Sequence, residues 1–338
     1  YLGNVHEEEE AEVFVTDLSH GSDYEALHLE QPSDHTRAFI KVQDGCNQFC
    51  SYCVIPFARG RVRSRNPEQV EEEVRRLAEA GYHEIVLTGI HLSSYGLDFH
   101  GESYNTAGGQ GNEQELLRLI EWIHAVDGIT RIRLGSLEPR VITEAFAGAL
   151  AALPKVCPHF HLSLQSGCDG VLKRMNRRYT TEEFARSVEI LRRVYEHPAI
   201  TTDVITGFPG ETEEEFAQTV SYLEKIRFFE MHVFPYSRRE GTVAADMPGQ
   251  LTEKEKKQRS SVLLAMTARH SKEYREYYIG KEQEVLFEQC HEIEGRQYLT
   301  GHTRNYVRVA VPVEGIDPAE MTNQERICRL TGFADDET

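Results

Sequence analysis

No segment of this 338-residue chain comes near the ~18 consecutive apolar residues that a membrane-spanning helix needs. Its first residues carry no basic stretch leading into an apolar core, so no secretory leader is read and a cytoplasmic protein with no membrane partner is expected. Cysteine is scarce, seven in all, and Cys157, Cys168, Cys290 and Cys328 are scattered. That dispersion excludes a disulfide framework and suits free thiols in a reducing compartment. Lys and Arg are absent from residues 1–35, which hold ten Asp or Glu, and three more acids stand at 335–337. Of the net charge of −18, those two ends leave only −5 to the rest of the chain. The acidity therefore reads as solvated ends, and charge gives no positive support for nucleic-acid binding.

Against this scarcity, three cysteines crowd into eight residues: Cys46, Cys50 and Cys53, as Gly-Cys-Asn-Gln-Phe-Cys-Ser-Tyr-Cys. Three thiolates on one loop can hold three corners of a four-iron cluster and leave the fourth iron open to a ligand, and an open metal position is where chemistry happens. A structural zinc completed by His35 or His91 is the competing reading. It is weakened because zinc sites usually pair two C-x2-C or C/H units, and only one is present.

From Ala38 the chain alternates strand-like and helical stretches. Strands are expected at Ala38–Val42, Glu84–Thr88, Thr130–Leu134, His159–Leu164, Thr201–Ile205 and Met231–Phe234. Helices are expected at Pro67–Ala80, opened by Asn66-Pro67, and at Glu113–Val126, Val141–Leu153, Thr181–Tyr195 and Glu213–Ile226. Six βα units, two short of a full eight-fold barrel, predict an α/β fold with an open, partial barrel. Its active site would lie at the C-terminal ends of the strands, and the cysteine run directly follows the first one. Residues 89–112 read as a long βα loop, either a surface insertion or a substrate-facing segment. The expected domains are an acidic linker or remnant over 1–35, the partial barrel over 36–245, a connecting helix over 246–279 and a small all-β barrel over 280–338.

The C-x3-C-x2-C run with Tyr52 before its last cysteine resembles the radical S-adenosylmethionine superfamily. Lys41–Cys46, Ile55–Arg61, Leu87–Gly96, Ser163–Cys168 and Gly207–Thr212 narrow the likeness to the methylthiotransferases. The nearest branch is the one that modifies threonylcarbamoyladenosine beside the tRNA anticodon. The sister branch, which acts on a ribosomal-protein aspartate, and a non-catalytic zinc-stabilised RNA-binding protein are the alternatives. The resemblance implies a [4Fe-4S] cluster on Cys46, Cys50 and Cys53, and S-adenosyl-L-methionine near Tyr52, Thr88, Gly89, Gln165, Ser166, Asp203 and Gly207. It implies tRNA and a low-potential flavodoxin- or ferredoxin-type electron donor as partners. It also implies an auxiliary [4Fe-4S] cluster on an N-terminal domain that this chain does not contain, so a fragment of a larger enzyme is expected. The C-terminal segment resembles a TRAM domain. Arg304, Tyr306 and Arg308 are expected on one face of a strand, facing RNA, although residues 280–338 hold six basic and twelve acidic residues. Arg59, Arg61, Arg63 and Arg65, and then Lys173, Arg174, Arg177 and Arg178, read either as phosphate-contacting strips or as solvated, paired charges.

Overall fold

The computed structural model describes residues 36–100, 113–335 and 338. The segment 1–35 and much of the expected loop 89–112 lie outside the described residues. The described part of that loop is not irregular, because 3-10 turns cover Leu92–Ser94 and Leu97–His100. Among the described residues, no helix is long and apolar enough to cross a membrane.

The six expected strands are β1 (Arg37–Asp44), β3 (Glu84–Gly89), β4 (Arg131–Leu134), β5 (His159–His161), β6 (Ala199–Thr206) and β7 (Glu230–Pro235). A two-residue strand, β2 (Arg63–Ser64), pairs antiparallel with the end of β1. β1, β3 and β4 pair in parallel, as do β5, β6 and β7. Bridges Ile132–Val156 and Leu137–Leu162 join the two groups. The six strands therefore follow one another in chain order, the arrangement of an open, partial barrel.

Alternation along the strands sorts residues between two faces. Ala38, Ile40, Val42, Ile85, Leu87, Ile132, Leu134 and Phe160 point outward into one apolar core. They pack there with residues of α2 (Pro67–Glu79), α3 (Glu113–His124), α4 (Glu144–Ala151), α6 (Thr181–Val194) and α7 (Glu213–Ile226). Each fully buried Ile or Leu contributes about 1.5–3 kcal/mol. Local sequence sets the helix starts. Asn66 accepts from the backbone of Glu68 and Gln69 ahead of Pro67, and Thr180/Glu183 and Thr212/Glu215 form capping boxes. Two short helices, α1 (Ile55–Ala58) and α5 (Asp169–Arg174), were not legible from periodicity.

A 24-residue helix, α8 (Glu253–Glu276), also opened by a capping box, leads to the C-terminal strands. These are β8 (Glu282–Ile293), β9 (Arg296–Thr303), β10 (Arg308–Pro312) and β11 (Glu325–Arg329), with α9 (Pro318–Met321) before the last. They form an antiparallel sheet in the order β10-β9-β8-β11. The expected strand from Tyr306 starts two residues later. Arg304 and Asn305 make a turn, and Tyr306 has a left-handed backbone (φ 69°). Arg304, Tyr306 and Arg308 thus do not share a strand face.

The concave face of the barrel sheet is polar at its lower end, and the C-terminal sheet seals it. Arg131, fully buried, donates to the carbonyls of His302 (2.9 Å) and Glu284 (3.2 Å) and pairs with Glu325 (2.9 Å). Arg133 forks onto Glu84 at 2.9 and 3.4 Å. The Tyr306 ring stacks with His159 and His302, 4.7 Å from each, and the Arg133 and Arg37 guanidiniums lie 4.7 and 5.3 Å from its centroid. Arg131→Met removes the cation that Glu84, Glu284 and Glu325 share, of which Glu84 keeps Arg133, while roughly keeping volume. We expect urea unfolding to show a loss of about 3–5 kcal/mol, the usual cost of breaking a buried ion pair on one side.

Candidate functional site

The cysteine loop leaves the top of β1 through Gly45. Its φ is +69°, and a Cβ there would sit 1.8 Å from the Arg61 carbonyl oxygen, so only glycine allows the loop to fold back on itself. Cys46 N then donates to Gly60 O at 3.1 Å. Gln43 clamps the base of the loop: its Nε2 donates to the carbonyls of Asp44 and Gly45, and its Oε1 accepts from His91 N (2.7 Å). From the other side, Asn176 Nδ2 donates to Phe49 O (2.8 Å), Ser51 N to Met175 O (3.0 Å) and Ser51 Oγ to Arg174 O (2.8 Å). Ala244 N in turn donates to Ser51 O (2.7 Å).

All three thiols are free, with Cys46 buried and Cys50 and Cys53 partly exposed. Burial pushes the Cys46 thiol up to about 11 and raises Cys53 too, so metal must displace protons to bind there. Arg177 stands against Cys50. Its Nη1 donates to Cys50 Sγ (3.3 Å), while Nε donates to Tyr179 Oη (2.9 Å) and Nη2 to Ser163 O (3.3 Å). Sequence reading placed Arg177 in a basic strip. The structure turns it inward, a fixed cation against the Cys50 sulfur. Its neighbour Arg174 pairs with Glu215 (2.6 Å), and Lys173 and Arg178 stay exposed.

The donor set fits an iron–sulfur cluster: three soft sulfur ligands on one pinned loop with a cation beside them. Among the described residues, the only three His, Cys, Asp or Glu ligand atoms within 4.8 Å of one another belong to His161, Asp203 and His232. His91, the candidate fourth zinc ligand, directs its nitrogens at Ser94 Oγ (2.6 Å) and Glu138 (3.4 Å). The other candidate, His35, lies outside the described residues.

The remaining expected site residues divide. Tyr52 stands edge-on to Phe208, with ring centroids 6.4 Å apart. Gly89 is a packing necessity, since a Cβ would meet Gln43 at 2.9 Å, and Thr88 Oγ1 donates to Ile40 O (3.2 Å). Gln165 sits at the strand end with φ 74°, its N–H on Asp203 O (2.8 Å). Ser166 is fully buried, and its hydroxyl faces Thr219 (3.3 Å) on α7. Asp203 is held by two histidines. Its carboxylate is engaged by His161 Nε2 (3.2 Å) and His232 Nδ1 (3.1 Å). Burial opposes its ionisation, yet those imidazoles hold it well below the usual carboxylate range. Gly207 (φ 68°) is approached not from the rim but by Lys256 of α8, 2.5 Å from a would-be Cβ. Glu211 does more than open a helix. Buried, it accepts from Gly207 N (2.8 Å) and Arg259 Nη1 (2.5 Å), tying the turn to α8.

Of the basic strip, Arg65 is buried against Glu73, and Arg63 and Arg59 lie 3.5 and 3.8 Å from Asp44. Arg61 covers the Phe49 ring at 4.8 Å. Only Arg59 and Arg61 are exposed. Arg304 caps the Pro154, Val156 and Thr130 carbonyls, and Tyr306 is walled in by two histidines, so neither faces outward for RNA. Glu138 was missed, since nothing in its spacing distinguishes it. Buried, it is held down to about 2 against that burial by His91 and Arg140, with Gln48 of the cysteine loop donating at 3.3 Å.

A family model described as the radical SAM superfamily matches residues 40–223. The chain is 41% identical over 310 residues to the threonylcarbamoyladenosine tRNA methylthiotransferase MtaB of Bacillus subtilis, covering 91% of this chain and 66% of that protein. It is 42% identical over 276 residues to the protein of the same name from Thermotoga maritima, covering 81% and 60%. It is 38% identical over 302 residues to the tRNA-2-methylthio-N(6)-dimethylallyladenosine synthase of Pelotomaculum thermopropionicum, covering 88% and 64%. The chain thus spans a little under two thirds of the length of these relatives.

Arg177→Met removes the cation at Cys50 without removing a ligand. We expect the reconstituted variant to keep its iron but show a reduction potential about 30–100 mV more negative by redox-poised EPR. Arg177→Lys should recover part of the shift.

Proposed function

The chain belongs to the radical S-adenosylmethionine superfamily, and from that premise we propose that it is the radical-generating part of a tRNA methylthiotransferase. One observation carries the reading: three free thiols on a pinned loop at the top of the first barrel strand, with Arg177 donating to one of them. When bound there, a [4Fe-4S] cluster with S-adenosylmethionine supplies reductive cleavage and hydrogen-atom abstraction.

The chain's own residues do the rest. Gln43, Asn176 and Ser51 fix the loop, Arg177 balances thiolate charge, and Tyr52 with Phe208 walls the rim. Thr88, Gly89, Gln165 and Gly207 remain candidates for cofactor contact through their backbone. The concave face carries two large apolar rings that the core leaves uncovered, Phe39 (56% exposed) and Phe234 (52%). Both lie on the side of their strands opposite the helices, where a planar base taken out of its stack can lie against them. The names of the MtaB relatives support a threonylcarbamoyladenosine as that base, and on this reading the reaction is methylthiolation at its carbon 2. On this reading the whole enzyme also needs an auxiliary [4Fe-4S] cluster as sulfur source and a low-potential flavodoxin- or ferredoxin-type donor.

Anaerobic reconstitution tests the first half. Brown protein with iron and sulfide in equal amounts is expected, and with dithionite it should convert S-adenosylmethionine to 5′-deoxyadenosine. Cys50→Ala should lower that rate at least about 100-fold, since a cluster short of one ligand loses the site that binds the cofactor. Colourless protein with stoichiometric zinc at the cysteines defeats the proposal. Nucleoside mass spectrometry of tRNA treated with an enzyme that includes the auxiliary-cluster domain tests the second half, and Phe39→Ala with Phe234→Ala should lower product while 5′-deoxyadenosine release persists.

A further inference from the structure

Beyond the cysteine loop, the concave face holds a second constellation of metal-ligand type. His161 ends β5, Asp203 lies within β6 and His232 within β7. Parallel register sets Asp203 beside His232, and His161 beside Thr201, two residues before Asp203 on the same face. Three adjacent strands thus deliver three side chains to one spot.

Their ligand atoms all fall within 4.8 Å of one another. The Asp203 carboxylate meets His161 Nε2 at 3.2 Å through one oxygen and His232 Nδ1 at 3.1 Å through the other. Neighbouring ligands on one ion with bonds of about 2.0–2.2 Å stand roughly 3.0–3.5 Å apart, so closure on a cation needs only small side-chain shifts. The outer nitrogen of His161 is already anchored, with Nδ1 3.0 Å from Thr201 Oγ1, which leaves Nε2 as the ligand and fixes the ring, as an outer-sphere partner does in metal sites. The two imidazoles stack 5.5 Å apart at 22°. Exposure grades across the site, 12% for the His161 side chain, 26% for Asp203 and 57% for His232. The open side therefore faces the concavity, where a held ion keeps positions for water or a substrate oxygen or nitrogen.

We propose that His161, Asp203 and His232 form a binding site for one divalent transition-metal cation of the zinc or iron(II) type, separate from the cysteine centre. The donor sets differ in kind. Sulfur alone at Cys46, Cys50 and Cys53 selects a soft cluster, whereas two nitrogens and one carboxylate select a borderline ion. The competing interpretation is a hydrogen-bonded triad with no metal, and the experiment separates the two.

The anaerobically reconstituted chain is equilibrated with Zn2+, desalted and analysed for iron and zinc. One zinc per chain above the cluster iron is expected. Asp203→Asn and His232→Gln should lose it through an affinity drop of about 100-fold or more, with iron unchanged, and Thr201→Val should weaken zinc about tenfold. His232 is more than half exposed, so its substitution leaves the core intact. Because an incomplete cluster can hold zinc on thiols, Co2+ is titrated into the C46A/C50A/C53A chain. Visible d–d bands without sulfur charge-transfer absorption, abolished by His232→Gln, support the site. If wild type retains no zinc, if Asp203→Asn retains as much as wild type, or if the triple-cysteine chain gives no d–d bands, the proposal is overturned.

Discussion

Arg131 is the hinge of the architecture, because a curved sheet with helices on its outer face must still satisfy whatever its inner face carries. Here the inner face carries charge. Arg131 and Arg133 stand on β4 and Glu84 on β3, all of them buried. A buried arginine without partners costs several kcal/mol, so the strands could not hold these residues in an open cavity at no cost. The C-terminal sheet supplies what is missing: two backbone carbonyls, from His302 and Glu284, and the carboxylates of Glu284 and Glu325. The antiparallel sheet is the floor of the partial barrel rather than an appendage. Arg304 repeats the logic one turn on by donating to the barrel carbonyls of Thr130, Pro154 and Val156.

A sealed floor leaves the concave face a graded depth. Ions and a Tyr306 sandwich close the bottom, His161, Asp203 and His232 occupy the wall above, and the cysteine loop lies beyond the strand ends. The same construction recurs at each level: a titratable group is fixed by charged or polar neighbours. Asp44 shows it at the rim. Burial opposes its charge, but Lys41 (2.8 Å) and the Gly45 N–H (2.8 Å) hold its carboxyl below the usual range, and so anchor the residue pair that opens the cysteine loop. Preorganisation of this kind matters where a reactive species must be kept in one geometry.

The amino-acid sequence disclosed the elements whose signals are local. Asn66-Pro67 and the Thr-x-x-Glu boxes at Thr180 and Thr212 start helices, and strand alternation gave six parallel strands. The cysteine cluster was equally legible, since Cys46, Cys50 and Cys53 lie in one short run. What was not legible depends on contacts distant in the chain. Ser166 looked like a rim residue, but Gly167 beside it packs against Thr219 and Tyr222 of α7 and turns the serine inward. Tyr306 looked like an exposed stacking residue because no local signal announces a left-handed turn before β10. Arg177 and Glu138 carry no spacing that marks them, since their partners Cys50 and His91 are 127 and 47 positions away.

The same long-range pairing reconciles the acidity of the chain with the polyanionic substrate proposed above. Arg65, Arg131, Arg133 and Arg259 are buried against carboxylates, and Arg177 against a thiol, so they add nothing to the outer potential. The exposed cations that remain include Arg59 and Arg61 on the cysteine loop and Lys173 and Arg178 beside it. Arg239 is near enough to favour the Cys53 thiolate. Screening confines each charge to about 8–10 Å at physiological ionic strength, so an approaching phosphate senses the charges of this rim rather than the net charge of the chain. Local placement, not total charge, decides whether a nucleic acid can come near the cysteine loop.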